Sequence, residues 1–239
     1  MNPIPTLMPL SSDVIVALDV PGRSEAHALL KKFGEERPFI KVGMELFYAE
    51  GPDFVRELKT AGYRIFLDLK LHDIPHTVEQ AMKRLTGLGV DMTNVHAGGG
   101  ISMMKAAREG FGDGCLIAVT QLTSTSEAMM HEDLLIPGAM SDVVLHYASN
   151  AKAAGLNGVV CSPHESPIIH ESLGASFLTV TPGIRFSGDA KNDQQRVTTP
   201  SDAGKLGSSF IVVGRSITAA EDPRAAYLRA RSEFLEELK

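Results

Sequence analysis

Eight short apolar runs punctuate the chain, at about residues 13–18, 38–42, 64–68, 92–96, 115–120, 157–161, 176–181 and 209–213. Continuous apolar runs of this length suit parallel strands with both faces covered. Helical segments are predicted between and after them, at 24–33, 50–61, 77–87, 101–109, 140–154, 165–173, 201–206 and 222–237. Strands that alternate with helices build parallel sheets, and eight units in 239 residues approach the ~250 typical of a closed barrel. The expected fold is α/β, a (β/α)8 TIM barrel; a doubly wound open sheet is the second choice.

Local signals mark where the helices begin and end. Ser141 and Asp142 precede VVLHYASNAKAAG, and Pro200, Ser201 and Asp202 stand where acceptors for free helix amides are needed. Gly62 and Gly155 close their helices. With 44% hydrophobic residues the chain can fill one large core, so residues 13–239 are expected to form a single barrel domain. Residues 1–12 read as a loose extension, since Pro3, Pro5 and Pro9 interrupt them and no basic segment or unbroken apolar stretch marks a signal peptide.

Composition also limits the partners. A net charge of −6 argues against general binding to nucleic acid or an anionic membrane, both of which need a positive field. No run approaches the ~20 apolar residues of a membrane helix. Cys115 and Cys161 lie in apolar runs and are expected to be reduced core residues of a cytoplasmic protein.

Polar groups then collect where the apolar runs stop. The stretch RIFLDLKLHDIPHT at 64–77 breaks off in Asp68, Lys70 and Asp73, and FIKVG ends its run in Lys41. Side chains two apart on a strand share a face, so Asp68 and Lys70 should lie together. Other runs end in Asp19, in Asn94-Val95-His96, in Gln121-Leu122-Thr123-Ser124, in Thr181-Pro182-Gly183-Ile184-Arg185 and in Gly214-Arg215. Barrels gather their ligand groups at this rim, and the loops after strands seven and eight often hold phosphate, which suits Arg185, Gly214 and Arg215. The bland reading of the acidic and basic groups is an ion-pair cluster tying strand ends together.

Other features are ambiguous or carry little. The polar stretch 186–200 is expected to be a loop that either closes over ligand, with Gln194 turned inward, or stays in solvent. His72 and His76 have helical metal-pair spacing, but Pro75 between them makes a regular helix there unfavourable, and no metal is expected. His96 reads as catalytic or as a hydrogen-bonded structural residue. Gly98-Gly99-Gly100 lacks the spacing of a nucleotide fingerprint and reads as a strand-to-helix turn.

Taken in order, ALDV at 17–20, IKVG at 40–43, FLDLKLHDIPHT at 66–77, LTS at 122–124, TPGIR at 181–185, DQQRVTTP at 193–200 and VVGRSI at 212–217 resemble the orotidine 5′-phosphate decarboxylase family. The resemblance spans nearly the whole chain and implies a cofactor-free, metal-free decarboxylase of a pyrimidine nucleotide, built as a homodimer with shared sites. It implies Lys70 as proton donor, Asp68 beside the substrate carboxyl, and Asp73 lent to the other subunit with Ile74 and Thr77 near it. It further implies Asp19 and Lys41 at the ribose, with Lys41 also in the charged chain. Thr123 and Ser124 fall at the pyrimidine, Gln194 between base and phosphate, and Arg185, Gly214 and Arg215 at the phosphate, with Pro182 also among the substrate-binding residues. Two rival readings are a magnesium-dependent lyase acting on a keto sugar phosphate in the same barrel group, and a non-catalytic phosphate-binding barrel.

Overall fold

The computed structural model describes residues 11–188 and 198–238. Eight strands close a parallel barrel in chain order: β1 Asp13–Ala17, β2 Phe39–Gly43, β3 Ile65–Leu71, β4 Met92–His96, β5 Cys115–Val119, β6 Gly158–Val160, β7 Leu178–Ile184 and β8 Phe210–Val213. The last strand pairs back onto the first, Asp13 opposite Phe210. The expected (β/α)8 barrel is thus the observed fold, not the open sheet.

The helices are α1 Arg23–Lys31, α2 Met44–Thr60, α3 Pro75–Thr86, α4 Gly100–Phe111, α5 Glu127–Glu132, α6 Met140–Ala153, α7 Ser166–Leu173, α8 Pro200–Lys205, α9 Arg215–Thr218 and α10 Pro223–Leu235. Three departures from the sequence expectation have local causes. α2 starts well before residue 50 because two helical pieces are joined across a kink at Gly51, whose φ of 72° only glycine adopts cheaply, with Pro52 opening the second piece. α6 begins at Met140, so Ser141 and Asp142 sit inside its first turn; the Met140 amide donates instead to the Glu127 carboxylate of α5 at 2.8 Å. In α8 the cap is Thr199, whose hydroxyl accepts from the Asp202 amide at 3.1 Å. The short α5 and α9 were not expected, being too brief for a periodic pattern. Gly62 and Gly155 do end their helices, at φ 87° and 82°.

Strand alternation divides the core in two. Ile15, Ala17, Phe39, Phe66, Met92, Cys115, Ile117, Val180, Phe210 and Val212 pack together inside the barrel, with Phe39 and Phe210 edge to face at 6.1 Å between ring centres. Residues of the opposite parity, such as Val14, Val16, Ile40, Val42, Ile65 and Leu67, face the helices. A buried side chain of this size contributes roughly 1.5–3 kcal/mol, so the interior plug fixes strand register firmly. One pleat further along, the same inward column reaches Lys41 in β2, Asp68 in β3 and Asn94 in β4. The charged residues therefore stand on a rigid apolar floor.

At the opposite end the Asp13 carboxylate, 5% exposed, accepts from Arg64 and from Arg231 of α10 at 2.9 Å, tying the last helix to the first strand. Between α3 and α4 the backbones nearly touch: a Cβ on Gly110 would lie 2.4 Å from the Glu79 carbonyl oxygen.

Candidate active site

Four side chains form an alternating charged line across β1, β2 and β3. Lys41 Nζ donates to Asp19 Oδ1 at 2.9 Å and lies 3.6 Å from Asp68 Oδ2, while Lys70 Nζ donates to Asp68 Oδ1 at 2.7 Å. Asp68 is buried between the two ammonium groups. Burial alone raises the proton affinity of its carboxyl, but the charges of Lys41 and Lys70 and the hydrogen bonds from Lys70 and Asn94 outweigh it and hold the carboxyl below its ordinary range.

Asp68 and Lys70 meet as expected, but not through a regular pleat. Leu67 lies opposite Thr93 whereas Leu71 lies opposite Val95, so β3 carries extra residues between two successive contacts with β4. Within this bulge Lys70 adopts φ 51°, a left-handed backbone that costs a non-glycine residue about 1–3 kcal/mol. The amide of Lys70 donates to Asn94 Oδ1 at 2.8 Å, and Asn94 Nδ2 donates to Asp68 Oδ1 at 2.7 Å.

Beyond β3 the loop turns outward. Among the described residues Asp73 accepts only from the amide of Ile74, at 2.6 Å, and makes no ion pair. Asp73, Ile74 and Thr77 are all exposed, Ile74 by 65%. Because α3 begins at Pro75, His76 is helical and His72 is not, so the two do not form a helical metal pair. His72 instead approaches His96 at 5.8 Å between rings. Burial, followed by the nearby His72 and Lys70, lowers the proton affinity of His96 against a smaller opposing pull from Asp68. Among the described residues no three His, Cys, Asp or Glu groups converge as metal ligands. Gly98 and Gly99 do form a turn into α4.

The other half of the site is a cavity of about 340 Å³, whose walls include Asp19, Lys41, Pro182, Arg185, Gly214 and Arg215. Lys41 thus belongs both to the charged line and to this cavity. Arg185 is buried just after β7, and its amide donates to the Thr198 carbonyl at 3.0 Å. Gly214 immediately precedes α9. Thr123 and Ser124, partly and largely exposed in the β5–α5 connection, lie outside the cavity walls, as do Asp68 and Lys70. Gln194 lies outside the described residues.

Two residues of the site were not singled out from sequence as site residues. Asn94 was noted only as part of a strand end, although its parity with Met92 marks it as inward-facing. Gly43 keeps room beside the charged line: a Cβ there would lie 3.1 Å from Lys41 Nζ and 3.4 Å from Asp19 Oδ1.

Comparison with known proteins gives a consistent picture. A family model described as "Orotidine 5'-phosphate decarboxylase / HUMPS family" matches residues 12–230. An orotidine 5′-phosphate decarboxylase of Geobacillus sp. strain WCH70 is 55% identical over 238 residues, covering 96% of this chain and 100% of the relative. One from Halalkalibacterium halodurans is 56% identical over 229 residues, 92% of this chain and 97% of its own. The crystal structure of orotidine 5′-phosphate decarboxylase from Lactobacillus acidophilus superposes with a TM-score of 0.85 at 44% identity, covering 93% of this chain and 99% of that one.

Proposed function

The chain belongs to the orotidine 5′-phosphate decarboxylase / HUMPS family, and from that premise we propose how its charged strand ends remove carbon dioxide from orotidine 5′-monophosphate to give UMP, in pyrimidine synthesis. The observation that carries the reading is the Asp19–Lys41–Asp68–Lys70 line, with one carboxylate held between two ammonium groups at the edge of an arginine-lined cavity.

Loss of carbon dioxide from C6 leaves a carbanion in the plane of the pyrimidine ring, where the π system cannot take up the charge. Its stabilisation is therefore electrostatic. The Lys70 ammonium stands beside C6, offsets the developing charge and then delivers its proton there. Asp68 pairs with the Lys70 ammonium at 2.7 Å and faces the departing carboxylate, adding like-charge repulsion in the bound substrate.

Enzymes lower barriers by about 8–23 kcal/mol, more than one ammonium supplies, so binding energy from distant parts of the substrate must contribute. Arg185, Gly214 and Arg215 take the phosphate, and Pro182 borders it. Asp19 and Lys41 take the ribose hydroxyls, and Thr123 and Ser124 the pyrimidine. Gln194 bridges base and phosphate from the segment after β7. Neither a metal nor a cofactor takes part in this scheme.

Asp73 completes the charged array of a second copy, with Ile74 and Thr77 at the same junction, which makes the working unit a homodimer. The outward position of Asp73 and its lack of an ion pair among the described residues support this assignment. Two buried free thiols, Cys115 and Cys161, accord with a reducing compartment such as the cytoplasm. Among the described residues no helix is long and apolar enough to cross a membrane.

The test is an ultraviolet assay of orotidylate consumption, with and without chelator. Lys70→Ala is expected to abolish turnover while UMP still binds, and near-normal turnover removes Lys70 from its role. Mixing inactive Lys70→Ala and Asp73→Ala dimers should restore part of the activity through heterodimers; no recovery despite demonstrated subunit exchange overturns the shared site.

A further inference from the structure

We infer that Asn94 is a positioning residue for the decarboxylation, its buried amide holding Asp68 and Lys70 in register with each other. The inference rests on the reading of Lys70 as proton donor and assigns that geometry to a residue which itself need not touch substrate.

The strand bulge creates the need for such a residue. Where β3 departs from β4, the backbone amide of Lys70 is removed from the regular ladder, and a buried amide left without an acceptor is costly. Asn94 Oδ1 takes the place of the missing strand carbonyl at 2.8 Å. The same contact holds Lys70 at φ 51°, a conformation that lysine does not adopt without support.

The other end of the amide acts on the carboxylate. Asn94 Nδ2 donates to the same Asp68 oxygen that accepts from Lys70 Nζ, at 2.7 Å in each case. Asp68 Oδ1 is thereby fixed between two donors, leaving Oδ2 toward Lys41. Asn94 has no exposed surface, so its own amide is committed to these two contacts and not to bulk solvent. One neutral side chain with a donor and an acceptor on a planar group thus sets both the backbone that launches Lys70 and the carboxylate that receives its ammonium. Aspartate has the same shape but, when ionised, can only accept; leucine can do neither.

That difference supplies a readout which strand stability alone does not move. In Asn94→Asp the new carboxylate still accepts from the Lys70 amide, but its second oxygen faces Asp68 Oδ1 with no proton between them. At about pH 8 kcat should fall by roughly 100-fold, the scale of a misplacement of about 1 Å, with KM little changed. As pH is lowered the paired carboxyls take up a shared proton, the acid form donates as the amide did, and kcat relative to wild type should recover. Asn94→Ala should show a loss with no such recovery. UMP binding reports that each variant is folded. A wild-type kcat in either variant, or an Asn94→Asp to wild-type ratio independent of pH, overturns the inference. If Asn94→Asp does not fold, Asn94→Ser replaces it: a kcat loss at unchanged KM supports the role, and wild-type kcat overturns it. Lys70→Ala, assayed alongside, separates the two readings: retained turnover there defeats the assignment of Lys70, whereas its loss together with indifferent Asn94 variants defeats only this one.

Discussion

Replacing Asp68 by asparagine tests whether opposite charge, more than shape, holds the strand ends together. The substitution keeps the volume, but it sets a neutral group between two ammoniums and turns an amide donor toward Lys41. Each contact of unit charges near 4 Å is worth about 4 kcal/mol at an effective dielectric of 20, before desolvation is subtracted. Breaking a buried pair by removing one partner costs about 3–5 kcal/mol. The side chains of Lys70 and Lys41 retain 27% and 13% of their exposure, so water relieves part of the loss and the lower figure, about 3 kcal/mol, is expected. For a chain of this size that lowers Tm by roughly 6–12 °C.

The pH dependence gives the sharper check. Because the folded-state pKa of Asp68 is depressed, its contribution is fully present above the unfolded value of about 3.9 and is lost as pH falls through the folded value. In urea titrations the gap between wild type and Asp68→Asn should stay constant from about pH 7 to pH 5 and narrow only below about pH 4. A variant as stable as wild type at neutral pH refutes the electrostatic account. A gap that already closes between pH 7 and 5 assigns the effect to some other titrating group.

Gly43→Ala should fold normally, since its φ of −88° suits any residue, yet its methyl crowds Lys41 and Asp19; kcat/KM for orotidylate should drop about tenfold or more at nearly unchanged Tm. Wild-type kcat/KM there would mean that the charged line tolerates displacement. Gly110→Ala gains about 1 kcal/mol of helix propensity but drives a methyl against the Glu79 carbonyl of α3, a backbone contact costing about 1–3 kcal/mol or more. A net loss of up to about 2 kcal/mol is expected in urea unfolding, and a stabilised variant would contradict the close α3–α4 approach.

The barrel was legible because its signal is local and repeated: each apolar run reports its own burial, and eight of them in sequence leave few alternatives. The candidate residues were legible for the same reason, since a charge that ends an apolar run stands out in one dimension. Sequence pattern also separated His72 from His76, because Pro75 starts a helix and cannot sit within one. The cap of α6 was misread because its acceptor, Glu127, comes from a helix too short to leave a periodic trace.

What the chain order alone determined, then, is the set of inward columns and the polar group at the head of each, since alternation along a strand is a property of consecutive residues. Only the closed barrel decided which of those heads touch. The Asn94–Asp68 contact spans 26 positions and the Lys41–Asp19 contact 22, and both exist because neighbouring strands are brought into one register over a shared apolar plug. The bulge at Lys70 is likewise a mismatch between two strands, which neither strand contains by itself.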